Sequence, residues 1–216
     1  MSSVTIIDYG MGNLLSVSRA FAHCGAQPVL TATPEGIRAA ERLVLPGVGA
    51  FADGMAGLRE RGLIDPIREH AAGGKTFLGI CLGMQMMLDS SEEFGSHAGL
   101  GLIPGRVVAI PPTGVDGKPH KIPHIGWNGL VPSSVATAWN GTVLEGIRPG
   151  AAAYFVHSFT AVPVDPAHRL ADCLYNGRVI AAVIRAGEVY GCQFHPEKSG
   201  EVGLDIVRDF LRRQGS

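Results

Sequence analysis

Cysteine is scarce and scattered in this chain. The 4 cysteines among 216 residues are Cys24, Cys81, Cys173 and Cys192, and no two of them form a C-x-x-C pair. That spacing fits neither a disulfide framework nor a zinc site. Aromatic residues amount to 6% and charged residues to 17%, with a net charge of −1. Neither sign is clustered, so the basic block that tracks nucleic acid is missing. No apolar run approaches the length of a membrane span. The opening MSSVTIIDYG lacks the charged n-region and long apolar h-region of a secretory signal. These absences predict a cytosolic protein with reduced thiols. Each free cysteine is then either small apolar filler or a nucleophile.

What is present suffices for a large core. Apolar residues make up 46% of the chain, which fits one domain over residues 1–216 without internal repeats. The first ninety residues alternate strand and helix. SVTIID (Ser3–Asp8) is β-branched and ends at the glycine turn YGMGN. NLLSVSRAFAHCG sets Leu14, Val17, Phe21 and Cys24 at helical spacing, with Gly25 where a helix-terminating glycine belongs. Pro28–Leu30 predicts a second strand, and TPEGIRAAE a short helix capped by Thr33. RLVLPGVGAF is a strand entering a glycine loop. MAGLRERGLIDPIREHAAGG is a helix broken before a restart at Pro66, and KTFLGI is an all-apolar strand. This alternation predicts a parallel sheet with helices on both faces. In the second half, GRVVAI, GWNGLV, AAYFVHSF, VIAAVIR and VYGCQF follow one another as strands, which predicts a smaller antiparallel extension. Pro111–Pro123 reads as a surface loop. The last helix, GEVGLDIVRDFLRR, is expected to turn Leu204, Val207, Phe210 and Leu211 inward.

The chemistry concentrates at TFLGICLGMQMML. Cys81 stands where an apolar strand ends and a helix begins, with Gly79 and Gly83 on either side. A sharp strand-to-helix turn pushes one side chain out of the sheet, and glycines let the turn close. A helix start favours thiolate, and the Leu82 N–H can meet a developing oxyanion. The alternative is a buried cysteine packed like alanine. That alternative suits Cys24 on a helix face and Cys192 inside a strand, while Cys173 gives no signal. A base is available in YGCQFHPEKSG: His195 ends another apolar strand, and Pro196 sets Glu197 where it can turn back to the ring. The alternative there is a surface histidine beside a solvated glutamate. The loop Gly47, Val48 and Gly49 follows a strand in the same half and offers a second oxyanion donor, or is a simple turn. His120 and His124 share a loop without any cysteine or carboxylate pattern, so no metal site is expected.

GICLGMQ together with FHPEKS resembles the class I, or triad, glutamine amidotransferases. DYGMGNL, LPGVGAF, KIPHIGWN (Lys121–Asn128) and YFVHSF (Tyr154–Phe159) are similar to one branch of that family, the glutaminase subunits of imidazole glycerol phosphate synthases. The resemblance spans Asp8 to Ser199. It implies a flavodoxin-like three-layer α/β fold and a triad of Cys81, His195 and Glu197. It further implies that Gln85 and Glu93 hold the glutamine, with the backbone near Ser158 and Phe159 on its α-carboxylate. Gln85 is i+4 from Cys81 and therefore on the same helix face. Glu93, in a Ser-Glu-Glu run, reads equally as an exposed helix end, and His157 as a core histidine. No cofactor is implied. The implied partner is a (βα)₈-barrel cyclase that consumes the ammonia. Asn13, Trp127, Asn128 and Tyr154 are candidates for its docking face, against core packing as the alternative. Competing readings are a glutaminase for another acceptor enzyme (pyridoxal phosphate, anthranilate or guanylate synthesis), a cysteine hydrolase or redox-sensing thiol protein, and a binding subunit without catalysis.

Overall fold

The computed structural model describes residues 2–136 and 138–215. The first half runs β1 (Ser3–Ile7), α1 (Leu14–His23), β2 (Gln27–Thr31), α2 (Pro34–Ala39), β3 (Arg42–Gly47), α3 (Phe51–Glu60), α4 (Ile64–Ala72), β4 (Thr76–Cys81) and α5 (Leu82–Met86). The second half runs β5 (Leu88–Ser91), β6 (His97–Ala98), β7 (Ile103–Ala109), β8 (His124–Gly129), β9 (Val131–Pro132), β10 (Ala152–His157), β11 (Phe159–Pro163), β12 (Arg169–Tyr175), β13 (Arg178–Ala186), β14 (Val189–Cys192) and α6 (Gly200–Arg212).

The main sheet has the order β2-β1-β3-β4-β14-β13-β12-β9. From β2 to β14 every pairing is parallel, and from β14 onward every pairing is antiparallel. This is the flavodoxin-like arrangement, with β1 and β3 side by side where the order reverses. The antiparallel part is a continuation of the same sheet. Two smaller sheets, β10-β8 and β11-β7-β5-β6, stand apart from it.

Strand alternation builds two apolar layers. Val4, Ile6, Val44, Leu78 and Ile80 face one side, where Val17 and Phe21 of α1 meet Ile206, Val207 and Phe210 of α6. The rings of Phe21 and Phe210 meet edge to face at 5.8 Å. Ile7, Leu43, Leu45 and Phe77 face the other side, against Ile37, Met55, Leu58 and Ile67 of α2, α3 and α4. β4 lies at the centre between β3 and β14, and all of its residues are buried. Among the described residues no helix is long and apolar enough to cross a membrane.

Two local expectations need correction. Leu204 is only half-buried, and Ile206 takes its place on the inner face of α6. α4 restarts at Ile64, with Pro66 inside its first turn, where a missing N–H costs no helical bond. Cys24, which ends α1, packs half-buried against the apolar core, in keeping with its reading as apolar filler on a helix face.

Candidate active site

Three neighbouring parallel strands end together. In the β3–β4 pairing, Gly47 lies opposite Cys81. In the β14–β4 pairing, Cys192 lies opposite Ile80, so the segment from Gln193 to His195 emerges on the other flank of Cys81. The glycine loop, the thiol corner and the histidine turn therefore converge at the carboxyl ends of adjacent strands, where open α/β sheets form sites.

The corner at Cys81 is tight. Its backbone has φ 55 and ψ −109, outside the regions that L-residues ordinarily occupy. Small neighbours are required rather than merely tolerated. A Cβ on Gly83 would sit 1.8 Å from the Leu45 carbonyl oxygen, and one on Gly79 would sit 2.8 Å from the Gly83 backbone. α5 then runs only from Leu82 to Met86, wholly buried.

His195 and Glu197 form a buried pair. Nδ1 lies 2.8 Å from the Glu197 Oε1, and the side chains are 3% and 2% exposed. The turn that carries them is braced from β10. His195 N–H donates to the Tyr154 carbonyl at 3.0 Å, Tyr154 N–H donates to Ser199 Oγ at 2.9 Å, and that hydroxyl donates to the His195 carbonyl at 2.7 Å. Burial alone would push the His195 ring down. The hydrogen bonds and charges of Cys81 and Glu197 overcome this and hold the ring up at about 9. An imidazolium beside the sulfur can stabilise thiolate and donate a proton to a leaving group.

A cavity of about 570 Å³ opens over these groups, within the range of small-ligand sites. Val48, Gly49, Cys81, Leu82, Gln85 and Glu93 line one part of it, and Ser158, Phe159 and His195 another. Every candidate substrate residue from the sequence thus faces one space. Gly49 has φ +101, a conformation natural to glycine, and Val48 is 42% exposed. Gly47 is different: it is the last residue of β3, and a Cβ there would lie 2.5 Å from the Tyr9 hydroxyl. Gln85 is buried, with Nε2 donating to the Phe159 carbonyl at 3.2 Å. Glu93 has a second task. Its Oε2 accepts from the Phe51 N–H at 2.6 Å, capping α3, which has no cap of its own.

The sequence from residue 5 to residue 214 matches the family model for class-I glutamine amidotransferases. The chain belongs to that family. Among curated relatives it is 61% identical to imidazole glycerol phosphate synthase subunit HisH 1 of Legionella pneumophila (strain Lens), over 98% of this chain and 100% of that one. It is 49% identical to subunit HisH of Methylococcus capsulatus, over 98% and 97%. A solved structure described as PurLQS from Thermotoga maritima superposes with a TM-score of 0.71 at 20% identity, covering 98% of each chain. A second, described as a glutamine amidotransferase, gives 0.67 at 16%, covering 94% and 98%. At such identities these two support the fold alone.

Within this amidotransferase, the four surface candidates divide. Trp127 on β8 is 58% exposed, beside Ile125 on the same face at 58%, and meets Tyr154 of β10 edge to face at 6.0 Å. Asn128 donates to the Leu174 carbonyl at 2.8 Å. Asn13 caps α1 by accepting from the Ser16 N–H at 3.3 Å. Core packing is thus ruled out for Trp127, and Asn13 has a structural duty. Several residues at the site escaped the sequence reading. Gln193 is fully buried just past the end of β14, with Nε2 3.8 Å from Cys81 Sγ; its signal was a polar residue in the otherwise apolar run VYGCQF. Tyr9 packs its hydroxyl beneath Gly47, and burial together with the nearby Cys81 pushes its phenol up. Phe94 and Lys198 also line the cavity, with no sequence signal that distinguished them.

Proposed function

We propose that the chain hydrolyses glutamine to glutamate and ammonia and passes the ammonia to a cyclase. That cyclase makes imidazole glycerol phosphate and aminoimidazole carboxamide ribotide in histidine biosynthesis. The relatives between 44% and 61% identical carry the name of an imidazole glycerol phosphate synthase subunit. The observation that carries the chemistry is His195, paired with the buried Glu197 and lining the same cavity as Cys81.

The Cys81 thiolate attacks the side-chain amide carbon of glutamine. The tetrahedral oxyanion is met by the Leu82 N–H and by a peptide N–H of the Gly47, Val48, Gly49 loop. His195, protonated, gives its proton to the departing nitrogen, and ammonia leaves. A γ-glutamyl thioester remains on Cys81. His195, now neutral, takes a proton from water as the water attacks the thioester. The second tetrahedral intermediate expels the thiolate, and glutamate departs. Glu197 holds the ring by Nδ1, so that Nε2 faces the sulfur, and offsets the imidazolium charge. Gln85, Glu93 and the backbone at Ser158 and Phe159 hold the amino-acid end of the substrate. No step uses a metal or a cofactor.

The partner is a (βα)₈-barrel cyclase in a heterodimer, seated on the face formed by Trp127 and Tyr154; of the other two candidates, Asn128 turns to the opposite face of β8, toward His124 and Leu174, and Asn13 caps α1. The exposed Trp127 supports this, since a half-free indole is a common anchor. The free subunit is nearly inactive. Docking of the loaded cyclase turns the loop peptide at Val48 and Gly49, whose exposure and backbone freedom support such a movement. The chain acts as one domain over residues 1–216, in the cytoplasm. Coexpression with the cyclase tests the acceptor. Imidazole glycerol phosphate must form from ribotide and glutamine. Product from ammonium salts but none from glutamine would refute the proposal.

A further inference from the structure

Cys81 has a buried neighbour that the triad leaves unused. Gln193 is 0% exposed and sends Nε2 to within 3.8 Å of the sulfur. Its Oε1 accepts from Gln85 Nε2 at 3.1 Å, and the same Gln85 nitrogen donates to the Phe159 carbonyl at 3.2 Å. A backbone carbonyl only accepts, so Gln85 must present its NH₂ group there. That NH₂ group then faces Gln193, which must answer with oxygen and turn its own NH₂ toward Cys81. The orientation of both amides follows from one carbonyl.

The carbonyl is itself held from the other side. His157 Nδ1 lies 2.7 Å from the Phe159 oxygen, which makes Nδ1 a donor. Nε2 of the neutral ring is therefore an acceptor, and His124 Nδ1 donates to it at 3.0 Å. His124 Nε2 is left to accept, and Asn128 Nδ2 faces it at 3.4 Å. Protonating either ring would set two donors against each other. Burial, aided by the nearby charges of His120 and His195, pushes the rings down to about 4 for His124 and about 3 for His157. Tyr175 stacks on His124 at 4.1 Å and closes it in.

We infer that Gln193 is a positioning residue for the nucleophile. Its amide N–H is aimed at the Cys81 sulfur by a directed hydrogen-bond chain from the His124–His157 pair through the Phe159 carbonyl and Gln85. The inference rests on Cys81 being the nucleophile of the proposed glutaminase. The sulfur has two polar contacts besides His195. As a thiol it can donate to the Val156 carbonyl at 3.9 Å; as a thiolate it can only accept, and Gln193 is the donor in reach. A hydrogen bond to an ion is stronger than one to a neutral sulfur, so this contact selectively favours the reactive form.

Alkylation of Cys81 by iodoacetamide, followed across pH by peptide mass spectrometry, tests this on the whole chain without glutamine. His195 and Tyr9 are coupled to the sulfur, Glu93, His157 and Lys198 line the same cavity, and every variant keeps all five. Gln193→Met keeps the volume and loses the donor. The account expects its alkylation near neutral pH to slow roughly 10-fold and its pH midpoint to rise. In turnover, kcat falls with little change in KM. Gln85→Met, which frees Gln193 to rotate, shifts the midpoint the same way, and adding it to Gln193→Met brings no further shift. Folded Gln193→Met with an unchanged alkylation profile would overturn the inference. If that variant does not fold, an unchanged profile in Gln85→Met overturns it instead. An unchanged profile beside normal wild-type turnover leaves the glutaminase standing. A shifted profile in a chain that never hydrolyses glutamine counts against the glutaminase alone.

Discussion

His195 Nδ1 stands 2.8 Å from Glu197 Oε1, with both side chains closed off from solvent. The folded chain holds the His195 proton up to about pH 9, against 6.5 for a free ring. A raised pKa stabilises the fold while the proton is bound. The contribution is therefore complete below about 6.5 and is lost as pH rises through about 9. Denaturant unfolding should show stability declining across that window. Glu197→Gln should flatten the decline and lower kcat by about 10²–10⁴-fold. A Glu197→Gln chain with the wild-type pH slope would separate the carboxylate from the ring.

Glu93 joins two loops of the site through its 2.6 Å bond to the Phe51 N–H. Glu93→Ala should cost about 1 kcal/mol in unfolding experiments, the usual value of a lost helix cap. It should also raise KM for glutamine, because the residue lines the cavity. Glu93→Gln keeps an acceptor and should recover most of the stability. Equal losses in the two variants would contradict the capping role.

Gly83→Ala should be among the most damaging small changes in the chain. Its Cβ would lie 1.8 Å from a backbone oxygen of β3, which no rotamer can relieve. Overpacking of a core ordinarily costs about 1–3 kcal/mol, and a backbone clash belongs at or above the top of that range. The melting temperature of the variant checks this. Gly25→Ala is a useful control, since a Cβ there meets nothing within 4 Å and only the φ of +83 opposes it.

Trp127→Ala should leave the isolated chain nearly as stable as before, since the side chain is mostly exposed. Affinity for the cyclase should fall by about 30-fold or more, the scale of an interface hot spot. Titration calorimetry of the two purified subunits measures it. Unchanged affinity would move the docking face elsewhere.

Much of this was legible in the sequence because the site is built at strand ends. Gly79, Cys81 and Gly83 mark a corner by steric necessity, and the apolar runs before Gly47, Cys81 and Gln193 announce the three parallel strands that carry it. β12 went unread because Asp172 interrupts its apolar pattern; the residue is buried only by pairing with Arg169 at 2.7 Å. β5, with the sequence LDSS, has no β-branched residue and takes its strand form from pairing with β7. The Glu93 cap and the Gln193 contact were beyond reach for another reason. Each joins residues 42 and 112 positions apart, a distance that no local pattern encodes.

The central claim is a covalent one, and a rapid acid quench of the assembled complex during glutamine turnover tests it most directly. The account predicts one γ-glutamyl group on the peptide that contains Cys81, accumulating faster than glutamate is released and absent in Cys81→Ala. Full turnover by Cys81→Ala, or a glutamyl group on another residue, would contradict it.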